Sequence, residues 1–174
     1  MARLTEPLLN IVLVNPEIPN NTGNIGRTCA ATGCRLHIVR PVGFDLSEKA
    51  VRRAGLDYWH LVDCVEHESW EAFRQREFAE NSGRPPAWLY TTHSDIPHWS
   101  AAFQRGDYLL FGRETSGVDD AVHQWVRTQH GEDHRITLPM VDDPAARSLN
   151  VATAVCAAVY EAMRQIESRS LPRC

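Results

Sequence analysis

Apolar positions along this chain fall into two kinds of pattern. Short, mainly apolar runs at Ile11–Val14, Leu36–Val39, Ala87–Thr91 and Tyr108–Phe111 read as strands, since a strand covered on both faces shows little alternation. Leu61–Val65 and the short Ile136–Leu138 offer two further strands. Helical signals lie between them. Thr22–Thr32 reads as a helix closed by Gly33, because glycine accepts the left-handed backbone that follows many helix ends. Ser47 can cap a short basic helix stopping at Gly55, and Ser69 a helix reaching about Glu80. The clearest periodicity comes last: Val151, Ala154, Val155, Ala158, Val159, Ala162, Met163 and Ile166 recur at three- and four-residue steps. That spacing predicts a long amphipathic helix whose apolar stripe packs into a core or a subunit interface. Strands alternating with helices predict an α/β fold with a mainly parallel sheet flanked by helices. Such sheets bind ligands beyond the carboxyl ends of their strands.

Composition changes this picture little. A chain of 174 residues, 43% hydrophobic and 23% charged, fits one globular domain. Neither a secretory leader nor an apolar run long enough to cross a bilayer is evident, so no membrane partner and a cytoplasmic location are expected. The five cysteines form no C-x-x-C and the eight histidines no H-E-x-x-H, so no metal site is expected. The net charge of −4 is awkward for a nucleic-acid protein, but it is unevenly spread. Between residues 27 and 53, Arg27, Arg35, Arg40, Lys49, Arg52 and Arg53 face only Asp45 and Glu48. Lys49 is the sole lysine in the chain, and arginine suits bidentate phosphate contacts and stacking on bases. A compositional bias with solvated helix faces explains the same excess, so charge alone does not decide.

Three separated segments fall at predicted strand ends. The first, PNNTGNIGR over Pro19–Arg27, follows a buried strand and enters a helix, where free N–H groups can meet an anion. It is neither a dinucleotide-binding glycine fingerprint nor a P-loop, and its asparagines could equally be helix caps. In the second, FGRETSG over Phe111–Gly117, Glu114 is either a ligand-facing acid or a surface acid paired with Arg113. The third runs from Leu138 through Met140 to Arg147, Ser148 and Asn150 at the mouth of the long helix. Ser148 and Asn150 are both reasonable caps, whereas an arginine there opposes the helix macrodipole and points to an anionic or polar partner.

Taken together and in this order, the segments resemble the three motifs of the SPOUT 2′-O-ribose methyltransferases, over about residues 9–166. RAGLDY at Arg53–Tyr58 and VYEAMRQ at Val159–Gln165 are similar to the small single-domain branch that methylates the wobble nucleotide, position 34, of tRNA. The resemblance implies a C-terminal deep trefoil knot, a homodimer, and S-adenosyl-L-methionine as methyl donor to a ribose 2′-hydroxyl of cytidine or uridine 34. By motif position it implies Arg27, Asn21, Glu114, Ser148 and Asn150 as catalytic residues, and Tyr90, Gly112, Leu138, Met140 and Ser148 around the cofactor. Arg52, Arg53 and Arg147 are expected at the anticodon stem-loop. A ribosomal-RNA ribose methyltransferase of the same fold and a non-catalytic RNA-binding homodimer are the competing readings.

Overall fold

The computed structural model describes residues 5–45, 57–78, 85–143 and 148–170. Six strands, β1 (Asn10–Val14), β2 (Arg35–Val39), β3 (Cys64–His67), β4 (Ala87–Tyr90), β5 (Tyr108–Phe111) and β6 (Arg135–Ile136), form one sheet in the order β3-β2-β1-β5-β4-β6. Every pairing is parallel. The chain winds outward from β1 through β2 to β3, then crosses to the other side of β1 for the remaining strands. The winding direction therefore reverses between β1 and β5, the topological switch where open α/β sheets place their ligands.

Both faces of the sheet are covered, which is why the strands lack alternation. On one face α1 (Pro19–Thr32) and α4 (Val151–Ser170) set Ile25, Cys29, Val155, Ala158, Val159 and Ala162 against Ile11, Leu13, Leu36, Leu109 and Phe111. On the other, α2 (Trp70–Phe78) and α3 (Asp120–His130) bring Phe73, Val122 and Val126 onto Val12, Val39, Leu89 and Leu110. The predicted stripe of the last helix is thus the core side of α4. Among the described residues no helix is long and apolar enough to cross a membrane.

Several element boundaries differ from expectation for identifiable reasons. The first helix begins at Pro19, three residues early, because proline's fixed φ and missing N–H suit the opening turn. Gly33 closes it as predicted, at φ 69° with its N–H on the Cys29 carbonyl. In place of a strand from Leu61, a 3-10 turn at Trp59–Leu61 precedes β3, whose register is set by Leu36 opposite Cys64. Trp59 lies against α1, where a Cβ on Gly26 would stand 2.5 Å from its ring, so only glycine permits this approach. Ser69 caps α2 through the Ala72 N–H at 3.1 Å. Helix α3 has no counterpart among the predicted elements. Its apolar stripe is short, and Asp119, in the cap position, makes no cap bond because its carboxylate is held by Arg113. The basic helix expected after Ser47 lies outside the described residues.

Candidate active site

The carboxyl ends of β4, β5 and β6 and the mouths of α1 and α4 enclose a cavity of about 780 Å³. Its wall includes Asn21, Tyr90, Gly112, Glu114, Leu138, Met140, Ser148 and Asn150. All the residues expected around the cofactor, and four of the five expected in catalysis, therefore converge on one cleft. Arg27 is not among them. It lies two turns further along α1, exposed to solvent, as the helical position of Asn21 requires. Arg52, Arg53 and Arg147 lie outside the described residues.

A continuous hydrogen-bond path joins the three sequence segments. The Glu114 carboxylate accepts from the backbone N–H groups of Glu17 (2.9 Å) and Ile18 (3.2 Å), and from Asn21 Nδ2 (3.0 Å). Ile18 has no side chain able to cap α1, and Glu114, almost a hundred residues away in sequence, takes the N–H groups of the two residues that lead into the helix. Its negative charge at a helix N-terminus is electrostatically favourable. Glu114 is thus an internal acceptor, and the alternative pairing with Arg113 is not what the fold builds. Asn21 Oδ1 in turn accepts from Asn150 Nδ2 at 2.9 Å. Asn150 Oδ1 then caps α4, accepting from the N–H groups of Ala152 (2.9 Å) and Thr153 (3.3 Å). The cap alternative is therefore correct for Asn150 and wrong for Asn21, which is buried between two motifs.

The floor of the cleft is apolar and flat. Tyr90 stacks on Phe111 with ring centroids 4.8 Å apart and planes 13° from parallel. Burial pushes the Tyr90 phenol well above its ordinary pKa, so the hydroxyl stays protonated; it lies 3.4 Å from His98 Nδ1. Burial also lowers His98, keeping that ring neutral near pH 7. Gly112 follows directly after β5 and could carry no side chain. A Cβ there would meet the Gly117 carbonyl carbon at 2.3 Å and the Val118 nitrogen at 2.6 Å. The loop closes on itself through reciprocal Arg113–Gly117 backbone bonds of 2.9 and 3.0 Å, with Gly117 at φ 71°.

Sequence reasoning left Arg113 without a role and did not single out His123. The Arg113 guanidinium forms a two-pronged bond to Asp119 (2.8 and 3.0 Å) and a third to Asn15 Oδ1 (3.0 Å), tying the cleft loop to the end of β1. Those bonds hold the Asp119 carboxyl below its ordinary pKa. His123, on the unpredicted α3, lines the cleft wall and accepts at Nδ1 from Arg135 Nε (3.2 Å). Burial and then the nearby Arg135 lower its pKa, so it faces the cavity as a neutral ring. Only the helical spacing of α3 could have signalled it. Two cations of the basic stretch are already engaged, Arg35 with Asp63 at 2.8 Å and Arg40 with Glu66 at 2.6 Å.

Away from the cleft, His37, His67 and Glu77 bring ligand atoms within 4.8 Å of one another, a grouping no sequence spacing revealed. The two rings already satisfy each other at 3.0 Å, and His37 Nε2 reaches Asn10 Oδ1 at 3.2 Å, so the group reads first as a buried hydrogen-bond chain.

The model of the SpoU rRNA methylase family matches residues 8–160. This chain belongs to that family. It is 44% identical over 159 residues to the tRNA (cytidine(34)-2′-O)-methyltransferase of Escherichia coli (strain K12), covering 91% of this chain and 94% of the relative. A solved structure concerned with 2-OH methylation of C/U34 on tRNA superposes with TM-score 0.78 at 40% identity, covering 92% of this chain and 97% of that one. The SpoU methyltransferase AviRb of Streptomyces viridochromogenes, in complex with the cofactor AdoMet, superposes with TM-score 0.73 at 27% identity, over 93% of this chain and 62% of that one.

Proposed function

We propose that this chain is a tRNA 2′-O-methyltransferase that transfers a methyl group from S-adenosyl-L-methionine to the ribose 2′-hydroxyl of cytidine or uridine 34. The observation carrying this reading is the path Glu114–Asn21–Asn150, which welds three distant segments into one cleft. High coverage of cytidine-34 methyltransferases favours tRNA over ribosomal RNA, despite the family's name. A built cleft lined by Asn21, Glu114, Ser148 and Asn150 favours an enzyme over a non-catalytic RNA-binding homodimer.

The cleft fits the cofactor on its own terms. Its volume lies within the range of small-molecule pockets, and the Tyr90–Phe111 stack, Leu138 and Met140 give an apolar slot. The side-chain-free Gly112 lets a loop backbone fold tightly at its edge. S-adenosylmethionine supplies a methyl group already activated on a sulfonium, so the protein's task is placement and charge stabilisation. Asn21 and Asn150 fix the rim, Ser148 stands beside them, and Glu114 holds Asn21. Arg27 acts as a permanent cation on the RNA phosphate or the developing alkoxide; guanidinium holds its proton too firmly to serve as a simple base.

The reading includes one domain over the whole chain, with a deep C-terminal trefoil knot threaded by α4, a cytoplasmic homodimer and no metal. A dimer is supported by Arg27, which faces solvent outside its own cleft, and by exposed Ile18, Leu149 and Tyr160 at and beyond the cleft mouth. RNA held by one subunit then reaches the cofactor of the other. Arg52, Arg53 and Arg147 contact the anticodon stem-loop phosphates, and reversing the charge of Arg52 and Arg53 should weaken tRNA binding and flatten its salt dependence. The test is incubation with methyl-labelled cofactor and, in parallel, total tRNA and ribosomal RNA, followed by nucleoside identification. Label on the ribose of nucleotide 34 is expected; label on a base overturns the chemistry, and label only on ribosomal RNA overturns the substrate.

A further inference from the structure

We infer that Tyr58 is a positioning residue for Arg27, holding the guanidinium over its ring so that the charge stays available for RNA. This rests on the ribose-methylation reading above and deepens it. The Arg27 guanidinium carbon lies 4.3 Å from the centroid of the Tyr58 ring, well within cation–π range. The Tyr58 hydroxyl donates to the Gly23 carbonyl at 2.8 Å. Gly23 lies four residues before Arg27, so its carbonyl is the one the Arg27 N–H addresses in the helix. Ring and arginine are thus referenced to the same peptide unit. Behind them, Trp59 packs so closely on Gly26 that the turn carrying Tyr58 has one seat on α1.

The choice of an aromatic partner has a chemical consequence. A carboxylate would occupy the forked N–H donors and offset the positive charge. Among the described residues no ion pair engages Arg27. A π face neutralises no charge and takes no forked carboxylate-type bond, while narrowing the rotamers of a long, exposed side chain. Exposed arginines are otherwise mobile, and a cation that must meet one phosphate or alkoxide loses rate to that motion.

The experiment compares the wild type with Tyr58→Phe and Tyr58→Leu in three measurements. In single-turnover methylation at saturating tRNA, Tyr58→Leu should be about 10-fold slower and Tyr58→Phe within about 3-fold of wild type, matching the span of exposed to desolvated cation–π contacts. The affinity for S-adenosylmethionine should stay within about 2-fold in both, because Tyr58 is not a cleft residue. By NMR, the ring-current displacement of the Arg27 side-chain protons should persist in Tyr58→Phe and vanish in Tyr58→Leu. An unimpaired Tyr58→Leu, a Tyr58→Phe as slow as Tyr58→Leu, or a parallel loss of cofactor affinity overturns the positioning role. A wild type that carries the NMR signature but methylates no RNA ribose sinks the ribose-methylation reading instead, leaving the arginine–ring contact established.

Discussion

At the residue scale the most informative side chain is Glu114, because its charge has been moved from the surface role its neighbour Arg113 suggests into the frame of the cleft. It accepts three hydrogen bonds, two from the backbone N–H groups of Glu17 and Ile18 leading into α1 and one from Asn21. Replacing a half-buried acceptor leaves those donors unpaired, at about 1–3 kcal/mol. Glu114→Ala should therefore lower stability by about 2 kcal/mol in chemical denaturation and abolish methyl transfer. Glu114→Gln keeps one acceptor oxygen and should recover most of the stability but little of the activity, since its amide cannot accept from both sides. Equal stability of Glu114→Ala and wild type would remove the frame role. Gly112 makes a different demand, purely steric. A methyl group there collides with backbone on the returning loop at 2.3 Å, and backbone cannot swing aside as a side chain can. Gly112→Ala should fold, with a melting temperature several degrees lower, and lose at least 10-fold in cofactor affinity by calorimetry.

At the element scale the long last helix carries both packing and chemistry, and one residue separates them. Asn150 uses its oxygen to cap α4 and its nitrogen to hold Asn21. Asn150→Asp keeps the cap, whereas Asn150→Ala loses it at about 1 kcal/mol. Neither retains the amide donor to Asn21. The aspartate variant should thus be more stable than the alanine variant yet as slow in methyl transfer. If activity instead follows helix stability, Asn150 serves only as a cap. How much of this was legible beforehand divides along the same line. The apolar runs that became β1, β2, β4 and β5, the Gly33 stop and the stripe of α4 were readable, because burial on both faces and helical periodicity leave local marks. The convergence of the motifs followed from their order along an alternating chain. What could not be read was which side chains pair: Glu114 taking the N–H groups that lead into the helix starting at Pro19, or Arg113 taking the Asp119 carboxylate that would have announced α3. Such hydrogen bonds have no sequence period.

At the scale of the whole molecule, the buried histidines make stability depend on pH through a defined window. His67, His98 and His123 all have pKa values lowered first by burial, and His130 is lowered by burial and by His134 to about 4. A depressed histidine is neutral in the fold but takes up a proton near 6.5 once the chain unfolds. Unfolding is then coupled to proton uptake, so the stability these rings contribute is complete above pH 6.5 and drains away as pH falls toward their folded values. The carboxylates act lower: Glu161, held near 2 by its bonds to Arg164 and Gln165, begins to lose its contribution only below its ordinary value of 4.5. Acid destabilisation should therefore come in two stages, histidines between about pH 6.5 and 4 and carboxylates beneath. His130 isolates the first stage. Its ring lies 5.2 Å from Trp125, 6.0 Å from Phe78 and 5.6 Å from His134, and its Nε2 has no hydrogen-bond partner among the described residues. Phenylalanine suits that aromatic nest and cannot titrate. His130→Phe should leave the midpoint of urea unfolding at pH 8 nearly unchanged and raise stability at pH 5 by about 1 kcal/mol, the full shift being discounted because the ring is only half buried. A pH dependence identical to wild type between 8 and 5 would show that the stability lost in that window belongs to the other three rings.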